Sequence, residues 1–368
     1  MDPITPKRIR EIEQNLLAET TKWLFGLEEP ARMIVRALFT LIPYSDKITK
    51  TKLLGQPNIM MYGGTGVGKT DLIESVASAI TAKSSRVQGT PDLMPYDILG
   101  HPEMIETKGG ERKIVFCPGP ICAHIVKVDE GNRMRGQTWA SLLEAMEEHS
   151  ISPKVEHFGE LAKQMSAIPL FPLSHNFEDI EGPRFFMTLI TQNIFGEEEG
   201  TYENPMAELD RVTLAIFMKR PSPTNEVRIS ADNVVGKSIN QITTLEEILA
   251  CAHYIFENVK SHPFATEYRV RLLRNTDPET VEGKSSFRQY VKEHIRVGAT
   301  PRVNFHFEGV ARTQAFFDGN NEIRPEHFKK IAKPVIMHRL RLTPGKEFKV
   351  SKDEVFEEIL ENTMVPKW

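Results

Sequence analysis

The chain has 368 residues, of which 40% are hydrophobic and 26% are charged, and this balance excludes a disordered, collagen-like or coiled-coil protein. With 46 Lys and Arg against 50 Asp and Glu, the formal net charge is −4, so the chain lacks the basic excess typical of a dedicated nucleic-acid-binding protein. We therefore expect a globular protein of one or two domains.

Two features of the composition indicate a cytoplasmic protein. No apolar run approaches the roughly 18 residues of a membrane span, and the opening MDPITPKRIR has no apolar stretch behind its basic residues. Three cysteines, Cys117, Cys122 and Cys251, are too few for a disulfide framework and match no zinc spacing. We expect these cysteines to be structural and the compartment to be reducing.

The first 220 residues alternate helical and strand patterns. Residues 6–44 predict two helices with a turn at GLEEP. PNIMMYGG then predicts a strand that ends in glycines, and DLIESVASAITA predicts the helix after it. HIVKVDE and FFMTLITQN are further buried-strand candidates. This order predicts an α/β fold with a mainly parallel sheet covered by helices.

The later part of the chain predicts a different architecture. KRPSPTNE, at 219–226, interrupts the alternation with two prolines. Helical patterns follow in LEEILACAHYIFENV, PRVNFHFEGVARTQAFF, RPEHFKKIAKPVIMHRLRL and SKDEVFEEILENTMV. We therefore predict an α/β domain over 1–225 and a small all-helical domain over 226–368 that ends in a C-terminal helix.

The segment GGTGVGKT fits the P-loop pattern between a predicted strand and a predicted helix. In such a loop, backbone N–H groups wrap phosphates and the helix N-terminus adds positive potential. A chance glycine-rich turn is the alternative, which the flanking strand and helix disfavour. The residues predicted to bind a nucleotide here are Gly63, Gly64, Thr65, Gly66, Val67, Gly68, Lys69 for the β- and γ-phosphates, and Thr70 for Mg²⁺.

The strand HIVKVDE ends in a pair of carboxylates, Asp129 and Glu130. Ligands of α/β sheets collect at the carboxyl ends of the strands. We therefore predict that Asp129 holds Mg²⁺ through water, together with Thr70, and that Glu130 deprotonates the attacking water. Taken without the P-loop, the pair would be better interpreted as an ordinary acidic turn.

Several blocks of sequence together resemble the MoxR-type AAA+ ATPases. They are SSRVQGTPDLMPYDILGH, FCPGPICAHIVKVDEGNRMRGQTWASLLEAMEEHSIS, TLITQN, EGTYENPMAELDR and VGATPRVNF, in the family's order. The resemblance covers about residues 25–342. It implies an AAA+ P-loop core with a helical lid, assembled into a ring in which ATP lies between neighbouring subunits.

The resemblance also assigns three further residues. Asn193 in TLITQN matches sensor 1, which positions the attacking water, and Arg211 in ELDR matches the arginine finger offered to the neighbour's γ-phosphate. Arg302 in GATPR matches sensor 2 of the lid and is expected to bind nucleotide. The catalytic set implied is Glu130, Asn193 and Arg211. Without the resemblance, both arginines would be better interpreted as members of surface ion pairs.

The function implied is that of a ring-forming, chaperone-like ATPase, hexameric and dependent on ATP and Mg²⁺. It couples hydrolysis to remodelling, activation or cofactor maturation of a client enzyme, together with a separate von Willebrand factor A domain protein. The alternative is a nucleic-acid-associated motor or restriction-type translocase. Three cations near the first hairpin offer charge for it, but three acids balance them: Lys108, Arg112 and Lys113 against Glu103, Glu106 and Glu111.

Two hairpin inserts are expected, near 104–116 and 152–183, and the resemblance implies that they face the pore or a partner. The alternatives are a structural hairpin without contacts for the first and apolar residues that only cover the core for the second. The second is longer than the family's hairpin and contains the apolar run IPLFPL, so partner specificity is expected there. The sequence departs from the family at three further positions. Gly131 replaces the usual Ile, Ile194 replaces a Pro, and Lys127 lies inside a strand that is normally apolar.

Overall fold

The computed structural model of the protein describes residues 4–46, 50–106, 110, 112–151, 168–170, 183–194, 209–231, 238–346 and 349–366. Its helices are α1 Pro6–Thr21, α2 Glu28–Leu38, α3 Lys69–Ser78, α4 Pro95–Leu99, α5 Gly136–Glu148, α6 Pro223–Ala231, α7 Leu245–Asn258, α8 Pro263–Asn275, α9 Ser285–His294, α10 Val303–Phe317, α11 Pro325–Ile336 and α12 Lys352–Asn362, with 3₁₀ turns at Gly131–Arg133 and Met337–Arg339.

The strands are mostly short. They are β1 Ile42–Ser45, β2 Lys52–Gly55, β3 Ile59–Gly63, β4 Ile80–Thr81, β5 Ser84–Gln88, β6 Gly100–Glu106, β7 Arg112–Pro118, β8 Ile125–Asp129, β9 Ser150–Ile151, β10 Ile168–Pro169, β11 Met187–Gln192, β12 Leu214–Met218, β13 Thr243–Thr244, β14 Lys260–Ser261, β15 Ile295–Val297, β16 Glu322–Ile323 and β17 Arg341–Leu342. Within the described part of the chain, no helix is both long and apolar enough to cross a membrane.

A five-stranded parallel sheet organises the first part of the chain, in the order β12-β3-β11-β8-β5. All carboxyl ends therefore lie on one edge of the sheet, and this edge receives the residues that follow β3, β8 and β11. The sequence predicts these three strands. It does not predict the two edge strands, because SSRVQ carries a single buried apolar residue, Val87, and LAIFM is a short apolar run without period.

Side chains alternate between the two faces of the sheet, as expected for a strand. On β3, Ile59 and Met61 join one core and Met60 joins the other. The first core also contains buried residues of α1, α2 and α3, and the second contains those of α5 and of the hairpin β6–β7. Both faces are therefore covered, and the strands are apolar as in other buried parallel sheets.

The helical part of the chain packs on the first of these faces. Helix α10 lies at its middle and contacts α2, α7, α8 and α11, with Phe307 and Phe328 in edge contact at 4.8 Å between ring centroids. The four predicted helical segments correspond to α7, α10, α11 and α12, and the structure adds α8 and α9. The predicted division after residue 225 falls inside α6 and stays a prediction.

The two predicted inserts differ in how much of them the structure describes. Strands β6 and β7 pair antiparallel from Gly100 and Pro118 to Glu106 and Arg112, and they bracket 104–116. Most of 152–183 lies outside the described residues. Within it, β10 pairs with β9, and Leu170 is buried in the second core, so this member of the apolar run contributes to the core.

Candidate functional site

The P-loop connects β3 to α3. Gly66 and Gly68 have φ values of 74° and 84°, a backbone region that residues with a β-carbon rarely adopt. A β-carbon added at Gly64 or Gly66 would meet no atom within 4 Å, so the loop lines open space. The N-terminus of α3 adds the positive end of its helix dipole to this space. The local geometry is therefore suited to an anion.

Lys69 is held inside the loop. Its side chain is almost fully buried, and its Nζ donates hydrogen bonds to the carbonyl oxygens of Gly63 at 2.8 Å and Gly64 at 2.7 Å. Nζ also donates to Oδ1 of Asn193 at 2.9 Å. Two residues that are 124 positions apart, and that the sequence assigns to one site, therefore meet.

Asp129 binds three donors at the end of β8. Its Oδ1 accepts from Oγ1 of Thr70 at 2.9 Å and of Thr191 at 2.7 Å, and its Oδ2 accepts from Nη2 of Arg86 at 2.7 Å. Burial raises the pKa of the Asp129 carboxyl, but these hydrogen bonds and the charge of Arg86 outweigh burial, and the pKa is lowered overall. The carboxylate is therefore ionised at neutral pH.

Glu130 lies next to Asp129 but adopts a different backbone conformation, with φ of 51°. Its N–H donates to Oγ1 of Thr191 at 3.2 Å. Its Oε2 accepts from Nε2 of Gln88 at 3.1 Å and lies 3.4 Å from Nη1 of Arg133. The left-handed turn at the strand end thus directs the carboxylate into the space that Lys69 also lines.

One pocket collects these groups at the carboxyl edge of the sheet. The set of oxygen ligands fits Mg²⁺: the Thr70 hydroxyl donates a hydrogen bond to Asp129, so the lone pairs of the Thr70 oxygen remain available to a cation that prefers oxygen ligands. The residues that line the pocket are Thr65, Gly66, Val67, Gly68, Lys69, Thr70, Asp71, Arg86, Gln88, Asp129, Glu130, Thr191 and Asn193.

Four of the lining residues were missed from the sequence, and one of them, Asp71, directly follows the predicted Thr70. Arg86 and Gln88 lie on the unpredicted edge strand β5, in a block that carries the family resemblance but to which no site role was assigned. Thr191 lies in TLITQN, two residues before Asn193, and a polar residue inside a buried strand was the available signal. A second cleft, also missed, continues from the P-loop past Phe217 to Ile229 of α6 and has a volume of about 740 Å³.

Arg211 lies away from this pocket. It precedes β12, and Asn58 before β3 donates from Nδ2 to the Arg211 carbonyl at 3.4 Å, so Arg211 lies at the amino edge of the sheet. A strand rises about 3.3 Å per residue, so five-residue β3 separates this edge from the P-loop by about 16 Å. The structure therefore does not bring Arg211 to the P-loop of its own chain.

Arg302 lies beside Arg211. Nη2 of Arg211 is 2.7 Å from Oε2 of Glu147, and Nη2 of Arg302 is 2.7 Å from Oε1 of the same residue. The sequence groups Arg302 with the P-loop residues as a nucleotide ligand. The structure instead groups it with Arg211, because the start of α10 packs near the amino edge of the sheet, where both arginines and Glu147 line one cavity.

A buried arginine fixes the backbone that carries Arg211. Arg339 is 0% exposed, and its Nη2 donates to the carbonyl oxygens of Val212 at 2.5 Å and Asp210 at 3.3 Å. Burial lowers the pKa of Arg339 to about 10, which leaves the guanidinium charged at neutral pH. The 3₁₀ turn after α11 is thereby attached to the segment before β12.

Lys127, unusual inside an acidic strand, has a partner. Its Nζ lies 2.9 and 2.7 Å from the two carboxylate oxygens of Glu74 on α3, and its side chain is only 14% exposed. The ion pair joins strand β8, which ends in Asp129, to the helix that begins with the P-loop lysine.

Gly131 is explained by the packing around it. A β-carbon at this position would lie 2.9 Å from Cζ2 of Trp139 and 3.0 Å from Cγ2 of Ile190. Trp139 cannot easily retreat, because its Nε1 donates to the Gly131 carbonyl at 2.6 Å. The indole thus occupies the space that an isoleucine side chain would need.

We expect Gly131→Ile to lower the free energy of unfolding by about 1–3 kcal/mol, the usual cost of overpacking. Thermal unfolding would measure the loss as a lower Tm. Gly136→Ala is the matched control, since a β-carbon there would meet nothing within 4 Å. Equal melting temperatures for the wild type and Gly131→Ile would contradict the steric explanation.

Family models match two parts of the chain. The model described as ATPase family associated with various cellular activities (AAA) matches residues 58–168, and the AAA lid domain model matches residues 288–359. A crystal structure of a protein from Cytophaga hutchinsonii superposes with a TM-score of 0.76 at 22% identity, covering 98% of this chain and 97% of that one. At this identity the likeness concerns the fold.

Curated relatives match most of the chain. Uncharacterized protein YeaC of Bacillus subtilis is 29% identical over 85% of this chain and 87% of its own. Chaperone MoxR1 of Mycobacterium tuberculosis is 28% identical over 92% of this chain and 83% of its own. Protein MoxR of Methylorubrum extorquens is 24% identical over 90% and 88%. Together with the P-loop, the parallel sheet and the helical lid, these relationships support the assignment of the chain to the MoxR-type AAA+ ATPases.

Proposed function

We propose that this chain hydrolyses ATP at the pocket between β3, β8 and β11, within a ring that remodels a partner protein. The observation that carries the proposal is the convergence of P-loop side chains with the residues after two other strands. Lys69 meets Asn193 at 2.9 Å, and Thr70 meets Asp129 at 2.9 Å. These are the groups that phosphoryl transfer to water requires in one place.

Each group has a distinct role in this proposal. Lys69 exchanges its carbonyl partners for the β- and γ-phosphates, while Thr70 and, through water, Asp129 hold Mg²⁺. The cation neutralises charge on the phosphates when it is bound. Glu130 accepts the proton of the attacking water, and Asn193 orients that water. The cleft between the P-loop and α6, which Phe217 and Ile229 line, accommodates the nucleoside.

The position of Arg211 supports assembly into a ring. The transition state of phosphoryl transfer carries charge on the phosphoryl oxygens, which a guanidinium stabilises. Because Arg211 and Arg302 lie at the amino edge of the sheet, they can reach a nucleotide only on another subunit. We therefore propose a homo-oligomer, hexameric by analogy with the family, in which the two arginines act in trans. Arg302 thus keeps its predicted role as a nucleotide ligand, with the nucleotide on a neighbouring subunit.

The remodelling role is supported by the relative named Chaperone MoxR1. A separate von Willebrand factor A domain protein and a client enzyme are the proposed partners. The hairpin β6–β7 and the segment 152–183 are the proposed contact regions.

Arg211→Ala tests action in trans. We expect ATP turnover to fall by about 10³-fold while ATP affinity stays unchanged, because the lost guanidinium contacts the transition state on a neighbouring subunit. Mixing Arg211→Ala with Glu130→Gln subunits should restore part of the activity. Some interfaces then combine an intact Glu130 with an intact Arg211.

The mixing experiment needs rings that contain both variants, which differently tagged subunits and sequential affinity purification provide. Each variant measured separately is the baseline. Absence of recovery in such mixed rings would contradict action in trans.

A further inference from the structure

Glu147 connects three segments that are distant in the sequence. It lies in the last turn of α5, and its side chain is one-third exposed. Its Oε2 accepts from Nε of Arg211 at 2.8 Å and lies 2.7 Å from Nη2 of that residue. Its Oε1 lies 2.7 Å from Nη2 of Arg302. Each carboxylate oxygen thus binds a different guanidinium.

The backbone around this cluster is fixed by other contacts. Asn58 donates from Nδ2 to the carbonyls of Met146 at 3.0 Å and Arg211 at 3.4 Å, which joins the end of α5 to the segment before β12. Thr300 donates to Asp210 at 2.8 Å and joins the start of α10 to the same segment. Glu147 is therefore not needed to hold these backbones together, and its contacts act on the arginine side chains.

The charges explain why a carboxylate is needed at this point. Two guanidiniums repel each other. Asp210 lies 3.8 Å from Nε of Arg302, but Glu147 contacts both arginines. A carboxylate that binds both offsets this repulsion and fixes the orientation of each planar fork. The surrounding cavity, of about 210 Å³, is also lined by Lys52, so its cations outnumber the single carboxylate of Glu147. Such a cavity favours a further anion.

We propose that Glu147 is a positioning residue for ATP hydrolysis. It holds Arg211 and Arg302 side by side, so that both are oriented when the terminal phosphate of a neighbouring subunit's nucleotide enters the cavity. The inference rests on the proposed action of Arg211 in trans and extends it, since it names the group that organises the donor side of the subunit interface.

Glu147→Gln keeps the size of the side chain but removes its charge and directs an N–H₂ group at one guanidinium. We expect turnover at saturating ATP to fall about tenfold, the value of one charge-assisted hydrogen bond. ATP affinity and Tm should stay unchanged, because neither the P-loop nor the backbone contacts involve Glu147. Glu147→Asp retains the charge and should retain more activity than Glu147→Gln.

Mixed rings identify the side of the interface on which Glu147 acts. Glu147→Gln mixed with Glu130→Gln should regain activity, since the second variant supplies an intact pair of arginines. Glu147→Gln mixed with Arg211→Ala should not regain activity, because every interface then lacks an intact donor side. Glu267→Gln is the control: it removes one carboxylate from an ion pair with Arg271 on α8 and should change nothing.

The outcomes separate the two proposals. Three results would each overturn the role of Glu147. They are wild-type turnover of Glu147→Gln, recovery of activity when Glu147→Gln is mixed with Arg211→Ala, and higher turnover of Glu147→Gln than of Glu147→Asp. Absence of recovery when Arg211→Ala is mixed with Glu130→Gln would instead overturn action in trans. If Glu147→Gln unfolds at a lower temperature than the wild type, Glu147→Asp is the deciding variant. Turnover close to that of the wild type supports the role of Glu147, and turnover as low as that of Glu147→Gln overturns it.

Discussion

Lys69→Ala will lose ATP binding while keeping its fold. The ammonium group is almost fully buried against the carbonyls of Gly63 and Gly64, so it already lies where the phosphates of a bound nucleotide must pass. Removing it deletes a charge-assisted contact to two phosphates and leaves the loop carbonyls facing an anion. We expect affinity to fall by about 100-fold or more, since each such contact is worth at least about tenfold.

Calorimetric titration with ATP and Mg²⁺ measures this loss directly. Lys330→Ala is a suitable control, because Lys330 is exposed, pairs with Asp318 on the helical part and lies outside the pocket. A folded Lys69→Ala protein with wild-type ATP affinity would remove Lys69 from the site.

Glu130→Gln should have the opposite profile, with binding retained and hydrolysis stopped. The amide keeps the shape of the side chain and its contact with Gln88, but it cannot accept the proton of the attacking water. General bases contribute about 10²–10⁴-fold, so turnover should fall within that range. The unhydrolysed nucleotide should also hold neighbouring subunits together.

Phosphate release measures turnover, and size measurement with ATP measures assembly. The same Glu267→Gln variant controls for the loss of one carboxylate. If Glu130→Gln hydrolyses ATP at the wild-type rate, another residue is the base.

Much of the candidate pocket could be predicted because it depends on local pattern and on one topological rule. GGTGVGKT follows an apolar run that predicts a strand, HIVKVDE and TLITQN end such runs, and parallel strands place their carboxyl ends on one edge. That rule is enough to bring Lys69, Asp129 and Asn193 together without knowledge of any other contact.

The remainder of the site depends on packing between distant segments. Arg86 binds Asp129 only because SSRVQ forms an edge strand beside β8. The sequence SSRVQ is too polar to predict a strand. Glu147, Arg211 and Arg302 are individually ordinary surface residues, and no periodicity links positions so far apart. The sequence therefore could not place Arg302, whose neighbours are set by where α10 packs.

The ion pair between Lys127 and Glu74 links the P-loop helix to the strand that ends in Asp129. The buried guanidinium of Arg339 does the same for the end of α11 and the residues before β12. The first contact thus connects α3 to β8, and the second connects the turn after α11 to the segment before β12. Any rotation of the helical part must either carry Arg211 with it or break two hydrogen bonds in a dry interior, where their loss is costly. In the proposed ring, rotation of the helical part would therefore move Arg211, the residue proposed to act at the nucleotide of the neighbouring subunit.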